Sequence, residues 1–313
     1  MTQPILTPDA HDDHEHDRGL EHDLIAIEKL AVGRRRALSW LGGAGSAALL
    51  VGCGGESGST GTATIATPTP TPTSTATPTP TPSSTATPTP TPSSGTCTVP
   101  ATETNGPYPA DGTNTAPGVT SNALTYTGVV RSDIRSSFAG SSTATAAGIV
   151  VDITITLVDA NNSCAALAGY AVYIWHCDRD GKYSLYDLPN ESYLRGVQIS
   201  DANGQVTFRT IFPGCYSGRY PHIHFEVFSS LTNATGGRFA VLISQFAMPA
   251  TQCAQVYATS GYATSLTNYS RTTIANDNVF GDNSTAQMTV MTLTMSGDTT
   301  NGYTATSTIG IAT

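Results

Sequence analysis

Two histidines one residue apart, in Pro221-His222-Ile223-His224-Phe225, are the side chains in this 313-residue chain best spaced for metal chemistry. On an extended strand side chains repeat with a period of two, so both imidazoles project from one face while Ile223 points the other way. A pair of neutral imidazoles on one face suits a shared metal ion, and equally a hydrogen-bonded structural pair. Two nitrogens do not complete a coordination sphere, and the nearby carboxylates are few: Glu226, Asp178 and Asp180. The same block is rich in tyrosine, with Tyr183 and Tyr216 among the 13 of the chain. Four of the 7 histidines, His11, His14, His16 and His22, fall in the polar N-terminal stretch, which reads as a solvated tail. His176 is then the one further imidazole, outside the pair, and reads as a core or hydrogen-bonding residue. The chain has no HExxH, Walker A, GxSxG or CxxC pattern, so the chemistry must come from the His/Tyr block.

That block needs strands to position it. Short runs rich in Val, Ile, Thr and Tyr, separated by Gly, Asn and Asp, predict strands over 124–130, 148–158, 169–177, 205–212, 222–229, 238–247, 287–297 and 302–311. Ile153-Thr-Ile-Thr-Leu-Val158 alternates at period two, Asp201-Ala-Asn-Gly204 reads as a turn, and no long helical periodicity competes. The expected fold class is all-β, a β-sandwich. Asp178, Asp180 and Asp187 read as turn residues, since no EF-hand spacing follows them.

Composition limits the partners. With 39% hydrophobic residues the chain can bury a core, and 14 basic against 23 acidic side chains, a net charge of −9, argue against nucleic acid or a polybasic membrane surface. Three segments are expected. Over 1–53, a polar extension is followed by Arg34, Arg35 and Arg36 and a short run of small apolar residues ending in Leu50-Val51-Gly52-Cys53. The run is too short to span a bilayer, and its flanks resemble a twin-arginine export signal with a lipobox whose Cys53 becomes the lipidated first residue. Over 54–96, a Pro/Thr unit of ten residues recurs from Thr67, Thr77 and Thr87, a polyproline-type tether with no core of its own. The folded unit is then 97–313. Its cysteines, Cys97, Cys164, Cys177, Cys215 and Cys253, permit up to two disulfides with one thiol left over, in pairings the sequence leaves open.

Four ordered motifs carry a family resemblance: Trp175-His176-Cys177-Asp178-Arg179-Asp180-Gly181-Lys182-Tyr183-Ser184, Arg195-Gly196-Val197-Gln198, Phe212-Pro213-Gly214-Cys215-Tyr216, and Arg219-Tyr220-Pro221-His222-Ile223-His224. They resemble the intradiol ring-cleaving dioxygenases, which include catechol 1,2-dioxygenases and protocatechuate 3,4-dioxygenases. Thr104-Asn105-Gly106-Pro107-Tyr108 is similar to that family's Glu-Gly-Pro-Tyr segment, with Asn105 in place of Glu. The resemblance covers about 104–247. It implies a transthyretin-like sandwich holding a mononuclear non-haem Fe(III) on Tyr183, Tyr216, His222 and His224. By the same matching, Tyr216 and His224 are axial, and Tyr183 and His222 share the equatorial plane with a hydroxide. Arg219 and Gln245 match residues of the substrate site, and Tyr108 a pocket-edge residue. A Pro/Thr tether stands where catechol 1,2-dioxygenases carry a helical linker domain, so a dimer built through that domain is not expected. Five residues separate Tyr216 from His222, which implies a trimmed pocket loop.

The inventory suits the chemistry implied. Phenolates are hard anionic donors that favour ferric over ferrous iron. A phenol with a pKa near 10 ionises at neutral pH only when a strong cation holds it. Arg219, which cannot deprotonate, suits negative charge developing on substrate. The resemblance implies an enzyme that cleaves a catechol-type ring with O2 to a cis,cis-muconate-type diacid, and the segment 34–53 separately leads us to expect an exported, membrane-anchored lipoprotein, periplasmic or at the cell surface. Two other readings stay open: an exported non-catalytic transthyretin-like binding protein, and a zinc- or copper-binding protein using the histidine pair.

Overall fold

In the computed structural model the described residues are 97–313. The expected export segment over 1–53 with Cys53, and the expected Pro/Thr tether over 54–96, lie outside them. Nine strands form two sheets: β1 (Val150–Asp159), β2 (Ala165–Ala166), β3 (Ala171–Trp175), β4 (Arg195–Ile199), β5 (Gln205–Ile211), β6 (His222–Phe228), β7 (Leu242–Ala247), β8 (Thr294–Asp298) and β9 (Gly302–Ile311). The first sheet runs β2-β1-β9-β8, with β5 also paired to β1, and the second runs β4-β3-β6-β7. The pair β1–β9 is parallel; the others are antiparallel. The all-β sandwich expected from the sequence is the fold.

The alternation in β1 decides its orientation. Val151, Ile153, Ile155 and Leu157 are buried against the facing sheet, and the threonines between them stay on the outer face. Strand β6 differs, because all seven of its residues are buried. Ile223, Phe225 and Val227 enter the inter-sheet core, where Phe225 stacks on Phe246 with ring centroids 4.3 Å apart. Fully burying one such side chain is worth about 2–3 kcal/mol. The opposite face, carrying His222, His224 and Glu226, is covered by a second cluster that includes Leu124, Val129, Tyr183 and Leu185 from the long irregular segments. The second sheet therefore has a sandwich core on one side and a roofed polar face on the other.

Three expectations need correction. Residues 124–130 are not a strand: Ala123–Thr125 form a 3-10 turn, capped by the Asn122 side chain accepting from the Leu124 N–H. Residues 287–297 begin as helix. Ser284 and Gln287 form a capping box that starts α3 (Thr285–Met291), and the strand begins only at Thr294. The predicted strand 238–247 opens with a 3-10 turn, Gly237–Phe239, before β7. Strand β4 and two short helices, α1 (Ala250–Tyr257) and α2 (Ala263–Tyr269), were not expected. Cys97 and Cys164 form the disulfide, and Cys177, Cys215 and Cys253 are buried thiols. Among the described residues no helix is long and apolar enough to cross a membrane.

Candidate metal centre

Three segments deliver the four predicted ligands. Strand β6 presents His222 and His224 on its roofed face, as the period-two spacing requires. Tyr183 follows a tight turn in which the Asp178 carboxylate accepts from the N–H groups of Asp180 and Lys182, and the Asp187 carboxylate accepts from the Tyr183 N–H at 2.7 Å. Asp178 is thus a buried turn-former and Asp187 an exposed one. Tyr216 leaves the end of β5 through Phe212-Pro213-Gly214-Cys215. Gly214 has to be glycine here: a Cβ would lie 2.6 Å from the Asp178 carbonyl oxygen and 2.7 Å from the Gly181 nitrogen. That close approach seats the Tyr216 segment on the Tyr183 turn. Helix α2 fixes it from the other side, Ser265 Oγ accepting from the Cys215 N–H and Asn268 Nδ2 donating to the Cys215 carbonyl.

The side chains converge. Nε2 of His222 lies 3.3 Å from Tyr183 Oη, 3.3 Å from Tyr216 Oη and 3.1 Å from His224 Nε2. Nδ1 of His222 is 2.6 Å from the Tyr220 carbonyl oxygen, so it carries the proton and leaves Nε2 as a bare lone pair facing the others. One lone pair cannot satisfy two hydroxyls and an imidazole by hydrogen bonding alone. Two donors held about 2.1 Å from one ion and about 95–105° apart stand about 3.1–3.3 Å from each other, taking ordinary metal–nitrogen and metal–oxygen lengths. The observed spacing fits ligands of a single ion. His224 is held flat against Trp175, ring centroids 4.8 Å apart at 6°, and its Nδ1 is buried without a partner. Tyr183 stacks on Tyr108 at 4.7 Å. Tyr183, His222 and His224 are buried, whereas Tyr216 is half-buried.

Electrostatics reinforce this. Burial pushes the Tyr183 phenol well above its ordinary pKa, and the neighbouring Tyr216 adds to the rise. Burial pushes His222 down to about 3, helped by the Arg219 charge, and drives His224 well below its usual value. Left to themselves, Tyr183 and both imidazoles are neutral at pH 7, and only a highly charged cation offsets the cost of an ionised phenol there. Among the described residues no three His, Cys, Asp or Glu side chains come together in metal-binding geometry. The cluster is a metal site only if the phenols count as ligands.

Arg219 and Gln245 form a buried network beside the ligands. Nε of Arg219 donates to Asp277 Oδ2 at 3.0 Å, and an Nη donates to Gln245 Oε1 at 2.7 Å. Gln245, the register partner of His224 across β6 and β7, donates its Nε2 to the Thr104 carbonyl at 2.9 Å. Asp277 also accepts from the N–H groups of Tyr220, Val279 and Phe280. Burial works to raise the Asp277 carboxyl, but the Arg219 charge and the Tyr220 N–H outweigh it and hold it below the usual carboxylate range. Asp277 was not singled out from the sequence; a lone acid between Asn276 and Asn278, 58 residues from Arg219, gives no pattern to read. Arg195 opens the Arg195-Gly196-Val197-Gln198 motif, whose spacing assigns it no role. It is buried and donates to the Tyr108, Pro109 and Ser184 carbonyls, tying the segment of Tyr108 to that of Tyr183. Asn105, where the family resemblance has Glu, donates to Asp111 and Thr113 and anchors the Tyr108 segment. His176 spends both ring nitrogens, on the Cys177 carbonyl and Thr210 Oγ1, and stays outside the cluster.

Residues 139–238 match the family model described as Dioxygenase. A chlorocatechol 1,2-dioxygenase from Pseudomonas sp. (strain P51) is 32% identical over 83 residues, covering 20% of this chain and 33% of that protein. The chain thus spans about a third of the length of the curated relative it matches. An intradiol ring-cleavage dioxygenase structure from Tetranychus urticae is 25% identical, covering 59% of this chain and 87% of that one, with a TM-score of 0.48. A further dioxygenase structure, 23% identical, covers 69% of this chain and 95% of its own at a TM-score of 0.50, and shares the fold. Over residues 139–238 the chain is similar to the dioxygenases, and its two-sheet fold is shared with a solved dioxygenase structure.

Proposed function

We propose that the protein is a non-haem Fe(III) intradiol dioxygenase that opens a catechol-type ring between its two hydroxylated carbons. The observation that carries the proposal is the convergence of two phenol oxygens and the His224 Nε2 on His222 Nε2, each 3.1–3.3 Å from it. Two anionic oxygens with two neutral nitrogens form a hard set suited to a trivalent ion. Ferric iron held by Tyr183, Tyr216, His222 and His224 would supply a redox-active Lewis acid able to make a catechol-type ring reactive toward O2. The balance needs no further reductant, because a catechol plus O2 gives a muconate-type diacid with both oxygen atoms retained.

The residues divide the remaining work. Tyr216, the half-buried member of the set, is the ligand nearest solvent, and its Oη is the base placed to take a proton from an arriving diol. Tyr183, His222 and His224 stay buried and keep water from the far side of the cluster. Arg219, fixed by Asp277 and Gln245, holds a permanent positive charge beside the site where negative charge develops on the substrate oxygens. Tyr108 stacks on Tyr183, which supports its assignment to the edge of the substrate site. Oxygen uptake by the iron-loaded protein with catechol, protocatechuate and hydroxyquinol, with product identified by mass, tests the proposal. Uptake matched one for one by a ring-opened diacid supports it. Iron-loaded protein that consumes no oxygen with any of the three points to the non-catalytic binding reading, and zinc or copper retained on the histidine pair points to the third. The localisation proposal rests on Arg34, Arg35 and the Leu50–Cys53 stretch, which support export with a lipid on Cys53.

A further inference from the structure

Arg195 on β4 is fully buried, and all five N–H donors of its guanidinium are engaged. Nε donates to Ser184 Oγ at 3.0 Å, and one Nη donates to the Ser184 and Tyr108 carbonyls at 2.8 and 2.9 Å. The other Nη donates to the Pro109 carbonyl at 2.9 Å and to Tyr173 Oη at 3.2 Å. Every acceptor is a neutral oxygen, so the planar fork acts here as a clamp on backbone and hydroxyl groups. Two of the gripped residues flank one phenol. Ser184 follows Tyr183 in the chain, and Tyr108 stacks on the Tyr183 ring at 4.7 Å. The guanidinium also stands 5.5 Å from the centroid of the Tyr186 ring, whose Oη accepts from the Ala110 N–H at 2.9 Å and so joins the same two segments again.

The clamped segments carry strain. Five described residues other than glycine have a positive φ, and three of them adjoin what Arg195 holds: Ala110 at 47° follows Pro109, Leu185 at 68° follows Ser184, and Leu194 at 57° precedes Arg195 itself. The other two, Ser163 and Cys164, belong to the turn of the disulfide. A Cβ disfavours this left-handed region, most of all beneath a bulky side chain, so each of the three turns relaxes if it is released. Such strain persists only where the surroundings hold it, and the contact common to the three turns is Arg195.

We propose that Arg195 is the positioning residue of the Tyr183 ligand. It pins the backbone on one side of the phenol and the stacked ring on the other, and so keeps Tyr183 Oη at the cluster, 3.3 Å from His222 Nε2. It acts through Tyr183 and Tyr108 and touches no reacting atom. Lysine cannot stand in for it, because three donors on a point charge do not reach acceptors spread around a planar fork. The identity of the metal rests on the ring-cleavage reading; the clamp does not.

Hydrogen exchange on the metal-free full chain tests the clamp without iron. In R195K and R195M the amides of Ala110, Leu185 and Leu188 exchange at least about tenfold faster while those of β1 and β5 stay within about twofold of wild type, as a local release predicts. A rise shared equally by β1 and β5, or one below about twofold at the three amides, overturns the proposal. S184A removes one acceptor and keeps the arginine, and it raises the same amides about threefold; if the arginine variants do not fold, the absence of that selective rise overturns the clamp. In iron-loaded R195K, a chelator removes the metal about tenfold faster and the phenolate-to-iron charge-transfer band moves. Release within about twofold of wild type with an unmoved band overturns the role toward the ligand. If wild type shows no such band, the ring-cleavage reading has failed separately, and the exchange result still decides the clamp.

Discussion

Replacing Asp277 with asparagine should destabilise the fold by about 3–5 kcal/mol, the usual cost of leaving one member of a buried ion pair alone. The structure explains why this site lies in that range. The carboxylate and the Arg219 guanidinium are 0% and 1% exposed, with N and O 3.0 Å apart. The same two oxygens accept from three backbone N–H groups, those of Tyr220, Val279 and Phe280, at 2.6 to 3.1 Å. Asparagine keeps the shape but carries no charge, and turns an NH2 toward donors that need an acceptor. Arg219, which cannot shed its proton, keeps its bond to Gln245 but loses the carboxylate that neutralises its charge. Urea unfolding of the 97–313 unit, followed by tryptophan fluorescence, gives the loss directly, with the midpoint shifted at an unchanged slope. The double variant R219Q/D277N should recover a substantial part, because no charge is buried unpaired. A D277N protein within about 1 kcal/mol of wild type would refute the argument that this pair is held out of water.

Two further outcomes follow from burial and from the proposed export signal. His176 is pushed down to about 4 by burial, so the folded state holds it neutral where the unfolded chain is protonated. Its contribution of about 3 kcal/mol is complete above the unfolded value near 6.5 and is lost as the pH falls toward 4. H176Q should flatten that part of the stability profile, measured as the urea midpoint at about pH 4.5 and pH 7.5, and an unchanged slope would contradict it. Glu103, pushed up to about 7 by burial, acts with the opposite sign, so E103Q separates the two groups. C53A expressed in a bacterial host should move the protein from the membrane to the soluble fraction and abolish fatty-acid labelling; labelled C53A protein would remove Cys53 as the attachment point.

Much of this arrangement was legible in the sequence because it depends on short-range periodicity. Alternating Val, Ile and Thr mark β1, and the one-residue spacing of His222 and His224 places both on the roofed face of β6 wherever that strand lies. Helix α3 was hidden because Met, Thr and Val suit a strand as well as a helix, and only Ser284 and Gln287 signalled the capping box that decides it. Strand β4 was hidden for a different reason. Its Arg195, Gly196 and Gln198 break any apolar run, and the arginine is buried by hydrogen bonds to carbonyls far away in sequence. Asp277 belongs to the same class: its role exists only once the loop of 276–278 meets the loop of 216–219.

The visible absorption of the iron-loaded protein tests the account most directly. Phenolate ligation of Fe(III) predicts a ligand-to-metal charge-transfer band that colours the protein red to burgundy, weakens and shifts in Y216F, and disappears in Y183F and H224A or on removal of the metal with a chelator. A protein that retains stoichiometric ferric iron yet stays colourless, or keeps the same band in Y183F and Y216F, would contradict it.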